Sequence, residues 1–362
     1  MTFKVKMDDK RIKVDLDSTN VKDILQYCKP KEQFVLVKKF GIIGGKEIPL
    51  QRIGKEYGLT RERVRQIENQ GLMRFRRLII GNENYLKVIE EAKKILDING
   101  GFLPEEELIN KLSNKGTFRF SNHELKLILV SDFDLYYLKR NKAINKSFYI
   151  DPLYEDLLSE FAAYIVDYFT KKGMPEDLYE FSDKLKNKFY EKHDNIKFIK
   201  NNVFYINYFK SVRGISIFDG KVGLDSFIDV NPTTIKQKIM YILKRVNKPL
   251  HYQEICTKIT EWFNNKPVKV NTVHNELVKN GDIFVNMGLG IYGLKEWGFE
   301  GGTVKEIIER ILNKAGRPIS IRDIVKEVLK EKMVSPNTIV LTLQKFKDSF
   351  ERIDKGIYRI KQ

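Results

Sequence analysis

Hydrophobic residues between Leu50 and Arg77 recur at helical spacing on both sides of Gly58. They predict two short amphipathic helices that share one apolar face. Gly58 supplies the left-handed backbone that ends the first helix, and Thr60 is a favourable N-cap for the second. The pattern predicts a helix-turn-helix, and its apolar positions are Ile53, Tyr57, Leu59, Val64, Ile67, Leu72 and Phe75.

The second of these helices carries a dense polar and cationic face at positions that Val64 and Ile67 leave free. Such a face suits the major groove of DNA, where Arg reads guanine, Gln reads adenine, Glu accepts from cytosine, and further Arg side chains bind phosphate. From Leu50 to Arg77 there are eight basic and three acidic residues, a local net charge of +5. The alternative interpretation is a solvated basic hairpin without a partner. The residues of the face are Arg61, Glu62, Arg63, Arg65 and Gln66.

The run IGKEYGLTRERVRQIENQGLMRFR resembles region 4 of the RNA polymerase sigma factors, the module that binds the upstream promoter element near minus thirty-five. The resemblance covers about residues 30–78, because the preceding KEQFVLVKKFGIIGGKEIPL is similar to the family's lead-in helix and Gly-rich loop. It implies double-stranded DNA as a partner, and RNA polymerase through the flap of its β subunit. It also implies that base edges are read by Arg61, Glu62 and Gln66, and that backbone phosphates are held by Lys55, Arg63 and Arg65.

The position of this region in the chain differs from that in a sigma factor. A sigma factor carries its clamp-binding and promoter-melting regions upstream of region 4, and about thirty residues precede the region here. That length is too short for those domains, and a long C-terminal extension follows instead. We therefore expect that this chain does not by itself replace a sigma factor.

The last third of the chain contains two similar segments. Each is predicted to form a helix, a short strand, a second helix, a third helix that begins at Asn-Thr, and two strands joined by a Gly turn. Three helices followed by a hairpin predict a winged helix, and the segments resemble the small modules of the polymerase delta subunit and of some chromatin and restriction proteins. The matched pairs are Pro249 and Pro318, Leu250 and Ile319, Ile255 and Ile324, Asn271-Thr272 and Asn337-Thr338, Gly290 and Gly356, and Tyr292 and Tyr358.

Two earlier segments fit the same plan less closely. In residues 82–151, a helix at Leu86–Leu96 and a third helix from Leu125 precede an alternating hairpin at 133–150. In residues 152–231, a long helix at 153–169 and strands at 203–209 and 214–227 predict a divergent unit. In the first segment, the positions equivalent to Leu250, Ile255 and Ile259 are Leu103, Leu108 and Leu112.

These patterns predict a mainly α fold with small β wings, made of a sigma-region-4-like helix-turn-helix and three to four tandem winged-helix units. The N-terminal part is predicted to form an alternating hairpin at 3–16 and a short helix capped by Ser18. The predicted divisions fall where turn residues interrupt the periodic segments. They are 1–29, 30–81 for the helix-turn-helix, and 82–151, 152–231, 232–301 and 302–362 for the winged-helix units.

Composition adds a polyanion as the natural class of partner. The 362 residues carry a net charge of +17, and the pI is about 9.5, so salt-dependent association with nucleic acid is expected. A Lys-rich composition imposed by biased codon usage is an equally good explanation for the Lys excess as a whole. Two separate cysteines, no apolar signal core and no run of eighteen apolar residues predict a soluble cytoplasmic protein without a membrane partner.

The sequence contains no recognisable catalytic motif, so we expect no enzyme activity, no metal and no cofactor. The four histidines are dispersed, and the glycines of GIIGGKEIP lack the Lys-Ser/Thr element of a phosphate loop. The acidic clusters at 105–107 and 151–156 have the spacing of helix N-termini. The aromatic run of Tyr136, Tyr137, Phe148 and Tyr149, beside Lys139, Arg140, Lys142 and Lys146, fits either a hairpin core or stacking of single-stranded bases.

The function we predict is sequence-specific DNA binding in transcription, as a regulator or an accessory initiation factor acting with RNA polymerase. The third helix of the last unit, Thr338–Phe346, lacks an Arg-rich face, so the winged-helix units suit protein contacts as well as DNA contacts. Two alternatives remain open. One is a polymerase-associated module that binds protein, and the other is the DNA-targeting part of a nucleic-acid enzyme.

Overall fold

The computed structural model describes residues 20–151, 154–190, 201–263, 267–299 and 301–361. The predicted hairpin at 3–16 and Ser18 lie outside these ranges. The described residues form a mainly α-helical fold with four small three-stranded antiparallel sheets, which confirms the predicted fold class. The chain divides into two compact units, Met1–Ser226 (unit 1) and Phe227–Gln362 (unit 2).

The described part of unit 1 has a group of helices followed by two repeats of helices and short strands. The helices are α1 (Val21–Leu25), α2 (Pro30–Phe40), α3 (Leu50–Tyr57), α4 (Arg61–Ile79), α5 (Glu83–Ile98), α6 (Glu105–Asn114), α7 (Asn122–Ser131), α8 (Tyr154–Lys172), α9 (Leu178–Tyr190) and α10 (Asn202–Phe209). The strands are β1 (Phe102–Pro104), β2 (Tyr136–Leu138), β3 (Ser147–Tyr149), β4 (Glu176–Asp177), β5 (Ile215–Phe218) and β6 (Lys221–Leu224).

Unit 2 contains two further repeats. Its helices are α11 (Ile235–Val246), α12 (Tyr252–Phe263), α13 (Val270–Lys279), α14 (Val304–Ala315), α15 (Ile321–Glu331) and α16 (Pro336–Lys345). Its strands are β7 (Leu250–His251), β8 (Phe284–Gly288), β9 (Ile291–Leu294), β10 (Ile319–Ser320), β11 (Phe350–Asp354) and β12 (Ile357–Ile360).

All four repeats share one topology. In each sheet the short first strand pairs with the third strand, which lies in the middle, and the orders are β1-β3-β2, β4-β6-β5, β7-β9-β8 and β10-β12-β11. The register also repeats in three of the sheets. The equivalent pairs are Leu103 with Phe148, Leu250 with Tyr292, and Ile319 with Tyr358, so the internal alignment made from sequence identified equivalent positions.

One predicted element has the wrong type. Residues 203–209 were expected to form a strand, and they form the helix α10. Asn201 caps this helix by accepting a hydrogen bond from the Val203 amide at 2.9 Å. Phe204, Tyr205 and Tyr208 are fully buried at helical spacing, so tertiary burial outweighs the strand preference of aromatic residues.

Helix starts also differ from prediction by a few residues. The first helix starts after Asn20, whose side chain accepts from the Lys22 amide at 3.0 Å, and not after Ser18. The third helices of unit 2 begin before their Asn-Thr pairs, with Lys269 and Ser335 at the N-caps. An Asn-Thr pair therefore lies inside the first turn of each helix.

The cores are distributed unevenly along the chain. One large hydrophobic cluster joins α1, α2 and the second half of α4 to the first repeat, and it includes Leu36, Phe75, Ile79, Val88 and Leu127. Each repeat of unit 2 has a cluster of its own. The helix-turn-helix and the first repeat therefore belong to one folded body.

Among the described residues, no helix is both long enough and apolar enough to cross a bilayer. The same residues contain no group of three or more His, Cys, Asp or Glu side chains arranged to hold a metal ion.

Candidate nucleic-acid interface

The predicted turn between α3 and α4 is present. Gly58 has φ +65° and ends α3, and the Thr60 hydroxyl accepts a hydrogen bond from the Arg63 amide at 3.2 Å. Gly54 is also required here, because a Cβ at this position would lie 2.5 Å from the carbonyl oxygen of Leu59. These contacts fix the angle at which α4 leaves α3.

A small apolar cluster holds the two helices together. Val35, Ile53, Val64 and Ile67 are buried in it, as the periodicity predicts for the last three. Tyr57 was expected on the shared apolar face and is 43% exposed. Its ring packs by its edge against Phe34 at 4.4 Å between centroids, because it lies in the last turn of α3, at the rim of this cluster. Leu59 and Leu72 are half-buried, and Phe75 belongs to the large cluster of unit 1.

The second half of α4 is locked against α2. A Cβ on Gly71 would come within 3.1 Å of the Leu36 side chain, so the two helices cross closely at this glycine. Arg74 donates from Nε to Oε2 of Glu32 at 2.7 Å, and the Glu32 carboxylate is almost fully buried. The same carboxylate accepts from the Lys29 amide at the start of α2. This anchoring makes α4 a rigid support for its own first two turns.

The first two turns of α4 present the predicted polar face to solvent. Arg61, Glu62, Arg63, Arg65 and Gln66 are all exposed, while Val64 and Ile67 between them are buried. The face therefore has the composition and accessibility that groove readout requires. Lys55 is exposed on α3, the other helix of the motif. Neither Arg61 nor Lys55 forms an ion pair with any acidic side chain in the part of the chain that the structure describes.

Side chains within this face pair with one another. Arg65 donates from Nε and Nη2 to the two oxygens of Glu62, at 2.9 and 2.7 Å, and Arg63 donates to Oε1 of Gln66 at 2.9 Å. The hydrogen bonds from Arg65 lower the pKa of Glu62 below its usual value, and the same contact raises the pKa of Arg65. Because such pairs are exposed, they contribute little to stability and can exchange for contacts to another molecule.

The sequence could have suggested these pairs, because both have the i,i+3 spacing of neighbours on one helix. These pairs cross the two groups that the resemblance implies, the base-reading residues and the phosphate-binding residues. Two of the residues expected to bind phosphate, Arg63 and Arg65, are each bonded to a residue expected to read bases. Only Arg61 and Lys55 have no such pairing among the described residues.

A buried charge cluster joins the Gly-rich loop before α3 to the first repeat. Lys126 is 4% exposed and donates from Nζ to Glu47 at 2.5 Å and to Glu105 at 2.9 Å. Lys146 also donates to Glu47, at 3.0 Å, and the Tyr137 hydroxyl donates to Glu105. Burial raises the pKa of Glu47, but the hydrogen bonds from Lys126 and Lys146 outweigh this and hold it below its usual value. No pattern in the sequence pointed to this cluster.

Two other candidate groups are accounted for by packing. Phe148 and Tyr149 are buried. The Phe148 ring is tilted against that of Tyr137 at 4.9 Å between centroids, and the Tyr149 ring stacks on that of Tyr136 at 5.3 Å. The four rings therefore pack against one another within their own sheet, as the hairpin-core alternative predicts. Glu105 to Glu107 occupy the first turn of α6, as the spacing predicts. For the second acidic cluster, the side chains of residues 155 and 156 lie outside the described set.

Comparison with known proteins identifies the helix-turn-helix. The family profile described as "Sigma-70, region 4" matches residues 25–77. The chain is 44% identical over 57 residues to the chloroplastic RNA polymerase sigma factor sigF of Arabidopsis thaliana, and 39% identical over 67 residues to the RNA polymerase sigma-B factor of a Nostoc species. It is 38% identical over 63 residues to the RNA polymerase principal sigma factor HrdD of Streptomyces coelicolor.

These matches are confined to a short part of every chain compared. They cover 16%, 18% and 17% of this chain and 10%, 20% and 19% of the respective sigma factors. A region 4 domain at residues 25–77 is therefore established, in agreement with the resemblance seen in the sequence. The family profile leaves residues 78–362 unmatched.

Proposed function

We propose that this chain is a sequence-specific DNA-binding protein of transcription that acts with RNA polymerase, as a regulator or an accessory initiation factor. The observation that carries the proposal is the exposed polar face on the first two turns of α4, within a region that matches sigma-70 region 4. In this proposal Arg61, Glu62 and Gln66 read base edges. Phosphates are held by Lys55, Arg63 and Arg65.

The pairing within the face refines these roles. Glu62 and Gln66 are each held by an Arg three residues away in the free protein. On a duplex, Arg63 and Arg65 exchange these contacts for phosphate oxygens and so release the acceptors of Glu62 and Gln66 toward the bases. Arg61, which has no such partner among the described residues, meets a base edge without rearrangement.

The remaining residues form, in our proposal, an N-terminal part at 1–29 and winged-helix units at 82–151, 152–231, 232–301 and 302–362. The shared order of three helices and a hairpin, with one strand order in all four sheets, supports this assignment. We further propose that unit 2 contacts polymerase or another protein. The third helices α13 and α16 expose mainly uncharged side chains, unlike α4.

The test is selection of bound sequences from a random duplex pool, with the full chain and with a variant in which Arg61, Glu62 and Gln66 are changed together to Ala. We expect the wild type to enrich one motif, and the variant to keep salt-sensitive binding without that motif. The full chain is needed because ending it near Asn82 would expose Phe75 and Ile79. Enrichment of the same motif by both proteins would overturn the assignment of readout to α4.

The two alternative functions predict different results for the same two proteins, the wild type and the triple variant. A module that binds only protein enriches no motif and co-purifies with polymerase in both forms. A nucleic-acid enzyme cleaves plasmid DNA when divalent metal is added, and absence of cleavage removes that option.

A further inference from the structure

The hairpin loop of the first repeat lies beside α4, the helix proposed to read base edges. This β2–β3 loop comprises residues 139–146, and Lys139 Nζ lies 3.9 Å from Oε2 of Glu68 on α4. Glu68 comes seven residues after Arg61, so both lie on one stripe of the helix, about 10 Å apart along its axis. The Lys139 side chain is 62% exposed. The loop therefore borders the exposed face of α4 on its Arg61 side.

The charge of this loop is one-sided. Residues 139–146 contain four basic residues and no acidic one. Lys146 is committed to the buried cluster with Glu47, whereas Arg140 and Lys142 are exposed and pair with no carboxylate among the described residues. A loop of this composition next to a DNA-reading face has the chemistry of a phosphate-binding site.

The loop is held in one conformation by the second repeat. The Asn141 side chain accepts from the amides of Ala143 and Ile144 at 2.8 and 2.7 Å. Ile144 is buried and forms an antiparallel bridge with Val212. Arg213 donates from its backbone amide to the Ala143 carbonyl at 2.8 Å. Its side chain donates to the carbonyls of Asn141 and Lys142. A loop fixed in this way loses little conformational entropy when it binds.

The third helix of the first repeat cannot use this loop for its own DNA contact. Leu125 to Leu129 on α7 are all buried, in contact with the helix-turn-helix on one side and with the repeat's own core on the other. Because α7 is covered, no duplex can bind to it, and the cations of the loop cannot serve such a complex. The exposed reading face adjacent to them is that of α4.

We propose that the β2–β3 loop, through Lys139, Arg140 and Lys142 together with exposed Arg213, binds the phosphate backbone of the same duplex that α4 reads. The interface is composite: one module supplies the reading helix and the following repeat supplies the flanking phosphate clamp. This inference rests on the proposed function of α4. It adds a longer footprint and a stronger dependence of affinity on salt.

The first test measures affinity for the selected duplex as a function of salt, using the full-length double variant Lys139→Ala/Arg140→Ala. Loss of two phosphate contacts lowers the slope of log affinity against log salt by about 1.8. The advantage of wild type over the variant then shrinks about tenfold between 50 and 200 mM salt, while the preferred sequence stays the same. The matched control is Lys87→Ala/Lys94→Ala on α5, which removes the same charge from exposed positions. Equal slopes for the two double variants would overturn the proposal.

The second test locates the loop on DNA. Both native cysteines are buried, so Lys142→Cys adds one accessible thiol that can carry an iron chelate for hydroxyl-radical cleavage. Cuts are expected on the backbone next to the motif, on one side only. Lys94→Cys, labelled in the same way, is the control, and an identical cutting pattern from both sites would contradict the proposal. If wild type enriches no motif, the proposed function of α4 fails and this inference with it; if a motif is found but slopes and cuts match the controls, only this inference fails.

Discussion

The third helix of each repeat has the same place in the topology, but its surroundings differ between unit 1 and unit 2. The residue six positions after the N-cap is Leu127 in α7 and Asn207 in α10, and both are buried. In unit 2 the same position is held by Asn275 in α13 and Leu341 in α16, and both are exposed. In unit 1 this outward position is covered by the preceding module. In unit 2 it is open to solvent.

In unit 1, the third helix of each repeat is covered by the module that precedes it in the chain. In α7 the covered face packs with α2 and α4, and in α10 it packs on β1, where the ring of Tyr208 lies 5.5 Å from that of Phe102. Gly100 permits this approach, because a Cβ there would lie 2.6 Å from the Phe204 nitrogen. The first repeat therefore packs on the helix-turn-helix, and the second repeat packs on the first. In α4 itself the equivalent position is Gln66, and it is exposed.

The strongest test of this comparison is a matched pair of truncations at that position. Leu127→Ala is expected to cost about 2–5 kcal/mol of the free energy of unfolding, because it opens a cavity in the large cluster of unit 1. Leu341→Ala removes a side chain that is 62% exposed and is expected to stay within about 0.5 kcal/mol. Denaturant unfolding of the full chain measures both. Equal losses would mean that the two helices are covered to the same extent in solution.

A second pair sharpens the comparison with a polar residue. Asn207 donates from Nδ2 to the Asn99 carbonyl at 2.8 Å and so joins the second repeat to the first. Asn207→Ala leaves that carbonyl without its partner, and we expect a loss of about 1–3 kcal/mol. Asn275→Ala is the control and should be nearly neutral, since its side chain is exposed. The same unfolding curves decide this, and a neutral Asn207→Ala would break the comparison.

The smallest expected loss of stability comes from removing an N-cap, a local contact that does not depend on what covers the helix. Thr60 and Ser335 each cap a helix by accepting from the amide three residues on, at 3.2 Å in both cases. Thr60→Ala and Ser335→Ala are each expected to cost about 1 kcal/mol. Because a cap is a local contact, the two losses should agree within the error of the measurement. A large difference between them would show that the surroundings control this position too.

Local features of the fold could be predicted from the sequence. The turn at Gly58 and Thr60 follows from the backbone preferences of two residues, and the repeated register at Tyr292 and Tyr358 follows from internal similarity. The helix at 202–209 was mistaken for a strand, because its aromatic residues have strand preferences and its burial comes from a distant segment.

The candidate interface could be predicted only in part for the same reason. The exposed polar face on the first two turns of α4 is contiguous in sequence, so helical periodicity alone predicts it. The bond between Lys126 and Glu47 joins residues 79 positions apart, and Lys139 approaches Glu68 across 71 positions. Such approaches depend on how modules pack, and no local pattern encodes them. The sequence shows the cations at 139–146 as a group, but it does not predict their place beside α4.

Helix α4 runs without interruption from the solvent-facing Arg61 to the buried Ile79, and its two halves belong to different hydrophobic clusters. The ladder of backbone hydrogen bonds is therefore common to the exposed end and to the end that packs with the first repeat. Gly71 lies between the two halves, and there the Leu36 side chain closes over the backbone of α4. If the exposed end binds a duplex as proposed, α4 connects that contact directly to the buried core of unit 1.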